Sequence, residues 1–306
     1  MKHFFLTTIV VLTLLSCTKR QTVTMVTSLD ADSMMNITVS WIGDGIITAN
    51  GMQLNNGSST TIKTPKNKTI TLTAYDDAKL TVLDCTDNQL TLLNVSGSAA
   101  LEHLLCSKNQ LSSLDLSGCT ALNWLICSNN ELTSYDISCC TELQVLDCRN
   151  NQITSIDVSG YSKLEYLICE NNQLTSLNFS SCTMLQGLTC SNNQLKSLNV
   201  SGYSELEFLS CDNNQLNSLD LSGCTALQKI YCNDNKLTSL NLSGCTAMQD
   251  IYCNNNQLTS LDLSSCTVLK FVNFTFNPQL TKGNIFGIAD GALAAWDPEL
   301  HTRDFF

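Results

Sequence analysis

One 21-residue phrase recurs in register from Leu80 to Asn277. A clean copy reads Leu227-Gln-Lys-Ile230-Tyr-Cys232-Asn-Asp-Asn235-Lys-Leu237-Thr-Ser-Leu240-Asn-Leu242-Ser-Gly244-Cys245-Thr-Ala. Its first position is filled by Leu80, Leu101, Leu122, Leu143, Leu164, Leu185, Leu206, Leu227, Met248 and Leu269, with no insertion between copies. A fixed period of this length is the mark of a solenoid, in which each repeat buries its apolar side only against its neighbours. The pairs Ile230/Cys232 and Leu240/Leu242 each alternate at period two. Each coil is therefore expected to carry two short extended segments facing one core. Helical spacing is absent from the phrase, so the fold class expected is mainly β.

The half-phrase Leu227-x-x-Ile230-x-Cys232-x-x-Asn235-x-Leu237 resembles the leucine-rich repeat, Leu-x-x-Leu-x-Leu-x-x-Asn-x-Leu, with Cys in the third apolar slot. Ten copies of it over residues 80–277 resemble bacterial leucine-rich repeat lipoproteins of the Bacteroidota type and, more distantly, internalins. The resemblance implies a solenoid of about ten coils that recognises a partner and catalyses nothing.

The flanks lack the phrase. Lys2 and the apolar run Phe4 to Leu15 are too short for a span of roughly 20 helical residues and read as an export signal over residues 1–16. Leu14-Leu15-Ser16-Cys17 resembles a lipobox, which implies lipid attachment at Cys17 and anchoring in the bacterial outer membrane, with 17–21 as a tether. Residues 22–79 hold β-branched alternating runs (Val23–Val26, Ile37–Trp41, Thr60–Lys63, Thr69–Thr73) separated by Asp44-Gly45, Asn50-Gly51 and Asn56-Gly57. These define a small β module that covers the first coil, whose open edge would otherwise template aggregation. The run into Leu80, Thr69 to Tyr75, is expected to be the docking strand. At the other end, residues 278–306 are expected to close the core, with a short helix between Ile285 and Trp296 ahead of Pro298.

Two ladders account for much of the unusual composition. Nine of the 17 cysteines (Cys85, Cys106, Cys127, Cys148, Cys169, Cys190, Cys211, Cys232, Cys253) recur once per coil. Cys119, Cys140, Cys182, Cys224, Cys245 and Cys266 recur in the second half, where Tyr161 and Tyr203 also occur, and Cys139 stands where most copies have Gly. Thiols stacked along an axis do not converge on a metal, and parallel rungs about 4.8 Å apart are wider than the roughly 3.8 Å between Cβ atoms of a disulfide. They are expected to be buried free thiols acting as small hydrophobes, with no metal and no cofactor. Asn88, Asn109, Asn130, Asn151, Asn172, Asn193, Asn214, Asn235, Asn256 and Asn277 form the second ladder, expected to satisfy backbone groups where the chain leaves the strand.

Function belongs where coils differ. Outward positions of the second half are monotonous, as in Ser155, Asp157 and Ser159. Those of the first half vary and are often apolar: His103, Leu105, Trp124, Ile126, Tyr166, Ile168, Phe208, Tyr231, Tyr252 and Phe271, with Arg149 beside them. They are expected to align as one aromatic stripe that binds a protein or glycan, since contiguous apolar patches with Trp and Tyr anchors mark interaction sites. The alternative is self-association into an envelope spacer. A formal net charge of −11 and the lack of any basic patch argue against nucleic acid. No nucleophile–base motif is present, and the nearest acid–base pairing is His103 with Asp84 one coil earlier.

Overall fold

The chain winds as a right-angled staircase of backbone hydrogen bonds, seen here in a computed structural model that describes residues 21–288 and 291–295. The first-half strands pair in parallel at an offset of one repeat. Val82 aligns with His103, His103 with Trp124, Trp124 with Val145, and so on to Phe271. This produces a 13-stranded sheet along one side. The expected second extended segment forms the other side more thinly. It consists of paired strands such as Ser155–Asp157 with Ser176–Asn178, and Ser218–Asp220 with Ser239–Asn241, with isolated bridges at Asp115 and Asn199. The leucines and cysteines of the phrase lie between, with Leu164, Leu167, Cys169, Leu174 and Cys182 all fully buried. The result is a β-solenoid of about ten coils.

The asparagines explain why the coil can turn where it does. Asn193 donates from Nδ2 to the carbonyls of Cys190 (3.0 Å) and Ser191 (3.2 Å) in its own coil and of Cys169 (3.1 Å) in the coil before. Its Oδ1 accepts the Leu174 N–H at 2.9 Å. Asn130, Asn172 and Asn235 repeat the pattern. One amide thus pairs backbone groups of two coils that would otherwise be buried without partners. The residue before each rung is left-handed, with φ between 52° and 59° from Asp87 through Asn129 and Asn192 to Phe276. Asn tolerates that region better than most residues, which accounts for the Asn-Asn pairs in the phrase.

The thiols are free among the described residues. Burial pushes Cys106, Cys148, Cys190 and Cys253 up to about 12, so they stay protonated and unreactive. In the second ladder the Cys182 and Cys224 thiols donate to the carbonyls of Val158 and Val200, and the Tyr161 hydroxyl donates in the same way to Ile137. Cys and Tyr share that slot because either can serve the carbonyl 24 residues earlier.

The two ends depart from expectation. A coil exposes two sheet edges, and one segment cannot cover both. Met34–Ile42 docks antiparallel on Lys79–Asp84, and Thr22–Thr27 docks on Leu90–Asn94. Thr69–Ala74, the expected docking strand, lies one position out, paired to Thr22–Thr27. The first rung fastens the junction: Asn88 accepts the Asn36 N–H at 3.0 Å and donates to the Asn36 carbonyl at 2.7 Å. In place of the expected helix, Lys282–Asn284 forms one 3-10 turn. Ile285–Phe286 and Leu293–Ala295 then extend the two sides by pairing with Leu261–Asp262 and Phe271–Asn273. Left-handed Gly287 and Gly291 interrupt any helix there, and the last coil offers unpaired strand edges. Trp296, Pro298 and His301 lie outside the described residues, as do the expected signal, Cys17 and most of its tether.

Candidate functional site

The outer face of the 13-stranded sheet has two columns, because each three-residue strand points its first and third side chains outward. One column runs His103, Trp124, Val145, Tyr166, Gly187, Phe208, Lys229, Asp250, Phe271. The other runs Leu105, Ile126, Asp147, Ile168, Thr189, Ser210, Tyr231, Tyr252, Asn273. The expected single stripe is in fact two clusters. Phe208 and Phe271 occupy the first column and Tyr231 and Tyr252 the second, while the outward positions of the coil between the clusters hold the small residues Gly187 and Thr189.

In the first cluster His103 stacks on Trp124 with centroids 5.1 Å apart, and Leu105, Ile126 and Ile168 are half-buried alongside. Asp84 accepts the Thr86 N–H at 3.0 Å and His103 rests against Trp124, so the pairing expected between them is replaced by two local contacts. Tyr166 bends across the gap. A Cβ on Gly187 would lie 2.8 Å from its ring, and its hydroxyl donates to Gln186 at 2.9 Å. In the second cluster Tyr231 stacks on Tyr252 at 4.6 Å, flanked by Phe208 at 5.9 Å and Phe271 at 5.2 Å. Lys229 Nζ sits 5.2 Å from the Tyr231 centroid and 3.4 Å from the Asp250 carboxylate. That position combines cation–π attraction with an ion pair.

Arg149 is not free to meet a ligand as the sequence suggested. Its guanidinium grips the nearly buried Asp147 through Nη2 at 2.8 Å and Nε at 3.1 Å, and reaches Glu170 at 3.5 Å. The Asp147 hydrogen bonds hold the Arg149 charge more firmly, raising its pKa. Beside the second cluster, Asp212 accepts the Asn233 N–H at 2.7 Å, and burial raises its carboxyl pKa. Asp147, Gly187 and Lys229 were missed because the sequence was read for apolar residues; following each column at an offset of 21 would have found all three. Among the described residues no group of three or more His, Cys, Asp or Glu is arranged to hold a metal ion.

A family model described as leucine-rich repeats, two copies, matches residues 120–160. The functional domain of InlJ from Listeria monocytogenes, which includes a cysteine ladder, is 28% identical over 79% of this chain and 57% of its own, with a TM-score of 0.55. The fold is a leucine-rich repeat solenoid. YopM, a leucine-rich effector protein from Yersinia pestis, is 28% identical over 63% of this chain and 54% of its own, at a TM-score of 0.56. The leucine-rich repeat protein LIC12759 of Leptospira interrogans shares the fold at 23% identity, covering 66% of this chain and 56% of its own, TM-score 0.56. The chain spans little more than half the length of each of these. No curated protein matches it in sequence.

The second face of the leucine-rich repeat is chemically uniform. Asp115, Asp136, Asp157, Asp220 and Asp262 each accept the N–H two residues on, from Ser117, Ser138, Ser159, Ser222 and Ser264. Those hydrogen bonds hold all five carboxyls below the ordinary Asp value of 3.8. A depressed carboxyl adds stability that is present above the ordinary pKa and lost as pH falls through the depressed one. Asn94, Asn178 and Asn241 make the same turn without a charge. Changing the five Asp to Asn is therefore expected to lower the urea midpoint slightly at pH 7. The same change is expected to flatten its fall below about pH 4. Urea titrations between pH 7 and 2 check both.

Proposed function

We propose that this is a non-enzymatic binding protein of the bacterial envelope that presents the outer face of its long parallel sheet to a protein or glycan. The observation that carries this reading is the pair of aromatic clusters, Trp124 and Tyr166 on one side and Phe208, Tyr231 and Tyr252 on the other. They sit on one face of a solenoid whose other face is a repetitive Ser/Asp/Asn surface. Trp124 and Tyr166 remain 43% and 40% exposed despite their neighbours. That much exposed aromatic area is costly to leave in water without a partner.

The test is capture from host and bacterial extracts on three immobilised proteins: wild type, Trp124→Ala/Tyr166→Ala/Phe208→Ala, and a control with Ser155, Ser176 and Ser218 changed to Ala. A species retained by wild type and the control is expected to bind the aromatic variant at least about tenfold more weakly. Equal retention by all three would remove the reading. For the proposed lipid anchor, mass spectrometry of the mature N-terminus decides, and an unmodified Cys17 counts against it. A self-associating spacer is the second reading. It is favoured by the strand Leu293–Ala295, which among the described residues pairs on one side only and leaves Leu293 71% exposed. A sedimentation coefficient independent of concentration excludes it.

A further inference from the structure

We infer that Cys139 and Cys140 form a vicinal dithiol that small-molecule disulfides oxidise reversibly, the one thiol site of the repeat built to react. Of the sixteen described cysteines, fifteen are buried and Cys139 alone is partly exposed. It stands in a slot where Gly97, Gly118, Gly160, Gly202, Gly223 and Gly244 are left-handed, with φ between 75° and 95°. Cys139 does not adopt that conformation.

A hydrogen bond is reassigned at this coil. In the slot of Cys140, the thiols of Cys119, Cys182, Cys224 and Cys245 donate to the carbonyl 24 residues earlier, at 3.0 to 3.4 Å. The equivalent acceptor for Cys140 is Leu116, yet that carbonyl takes the Cys139 thiol at 3.0 Å. Cys140 is left facing its neighbour, with the two Sγ atoms 3.7 Å apart. Reagents reach the pair through Cys139, which is partly exposed, and not through the neighbouring cavity, which neither thiol lines. Bridges join Asn94 to Asp115 and Asp115 to Asp136 but go no further, and a cavity of about 520 Å³ opens between the coils at that break. Ser138 and Thr141, on either side of the cysteine pair, line it with Tyr135, Ile156 and Tyr161.

The chemistry is thiol–disulfide exchange. Cys139, as thiolate, attacks one sulfur of a disulfide RSSR, forming the mixed disulfide and releasing RS⁻. Burial and the neighbouring Cys139 thiol push the Cys140 thiol up, and the second of these causes goes once Cys139 is capped. Cys140 then gives up its proton and attacks the Cys139 sulfur, expelling the second RS⁻. The balance is two cysteine thiols and one RSSR giving one cystine and two RSH, so the small disulfide receives both electrons and both protons. Adjacent residues across a trans peptide have Cα atoms about 3.8 Å apart, below the 4.4 Å at which disulfides ordinarily begin. Such a bridge is strained and easily reduced, which makes the step reversible.

The test uses native full-length protein, oxidised glutathione as RSSR, alkylation of remaining thiols and peptide mapping. The wild-type peptide containing Cys139 and Cys140 is expected to lose the mass of two hydrogens and to regain it with dithiothreitol. Cys140→Ala is expected to halt at glutathione on Cys139. Cys139→Gly, which restores the commoner residue of the slot, is expected to leave Cys140 untouched, with an unchanged circular dichroism spectrum as the folding check. A bridge between any other pair of the sixteen, glutathione retained on wild-type Cys139, or no reaction at either thiol would each overturn the assignment.

Discussion

Replacing Asn193 by Ala is expected to cost about 2–4 kcal/mol, more than any single change on the outer face. The side chain has no packing role that Ala would spoil; the loss is of hydrogen bonds. Truncation orphans the Leu174 N–H and takes one donor from the carbonyls of Cys169, Cys190 and Ser191, which keep Asn172 Nδ2, Asn214 Nδ2 and the Asn171 N–H. Water cannot replace it, because Leu174, Cys169 and Cys190 are fully buried. Each buried polar group left unpaired costs about 1–3 kcal/mol, and the same amide serves two coils at once. Asn193→Asp is expected to do no better, because a carboxylate would face those three carbonyls with nothing to donate. Guanidinium unfolding measures both, and a loss under 1 kcal/mol for the Ala variant would show that the turn holds without its amide.

That asparagine illustrates what the sequence carries in plain view. A residue recurring at one place in ten coils must serve the coil, and its bonding partners follow from where it sits. The cysteine ladders were legible for the same reason. Legibility failed where repetition stops. Nothing in Thr69–Ala74 says that it is one strand removed from the first coil, because docking is decided by the competition of several β-branched runs for two edges. At the far end, the apolar run after Ile285 has helix-like length, yet the unpaired edge of Phe271–Asn273 captures it as a strand. The proposed binding face was misread more subtly. Its residues were identified from their variability, but which column each occupies depends on counting from the strand start. That count separates Phe208 from Tyr231 and places Gly187 beneath the Tyr166 ring.

The division of the face into two clusters makes the intervening coil a sensitive place. Leu188→Ala, directly between them, is expected to cost about 2–5 kcal/mol. Leu188 is fully buried and in register with Leu167 and Leu209. The cost should fall toward the upper end, because parallel hydrogen bonds fix the coil spacing and prevent the core from closing over the cavity. In a solenoid each coil is stabilised by its neighbours, so the damage is local. Amide exchange is expected to quicken most across Tyr166 to Ser210 and least near His103 and Phe271. Uniform acceleration along the chain would instead mean that the ten coils unfold as one unit. For function the local pattern predicts a specific separation. A ligand touching only one cluster should bind the Leu188→Ala protein normally. A ligand spanning both should bind more weakly, because a loosened coil makes it pay for ordering the gap between Tyr166 and Phe208.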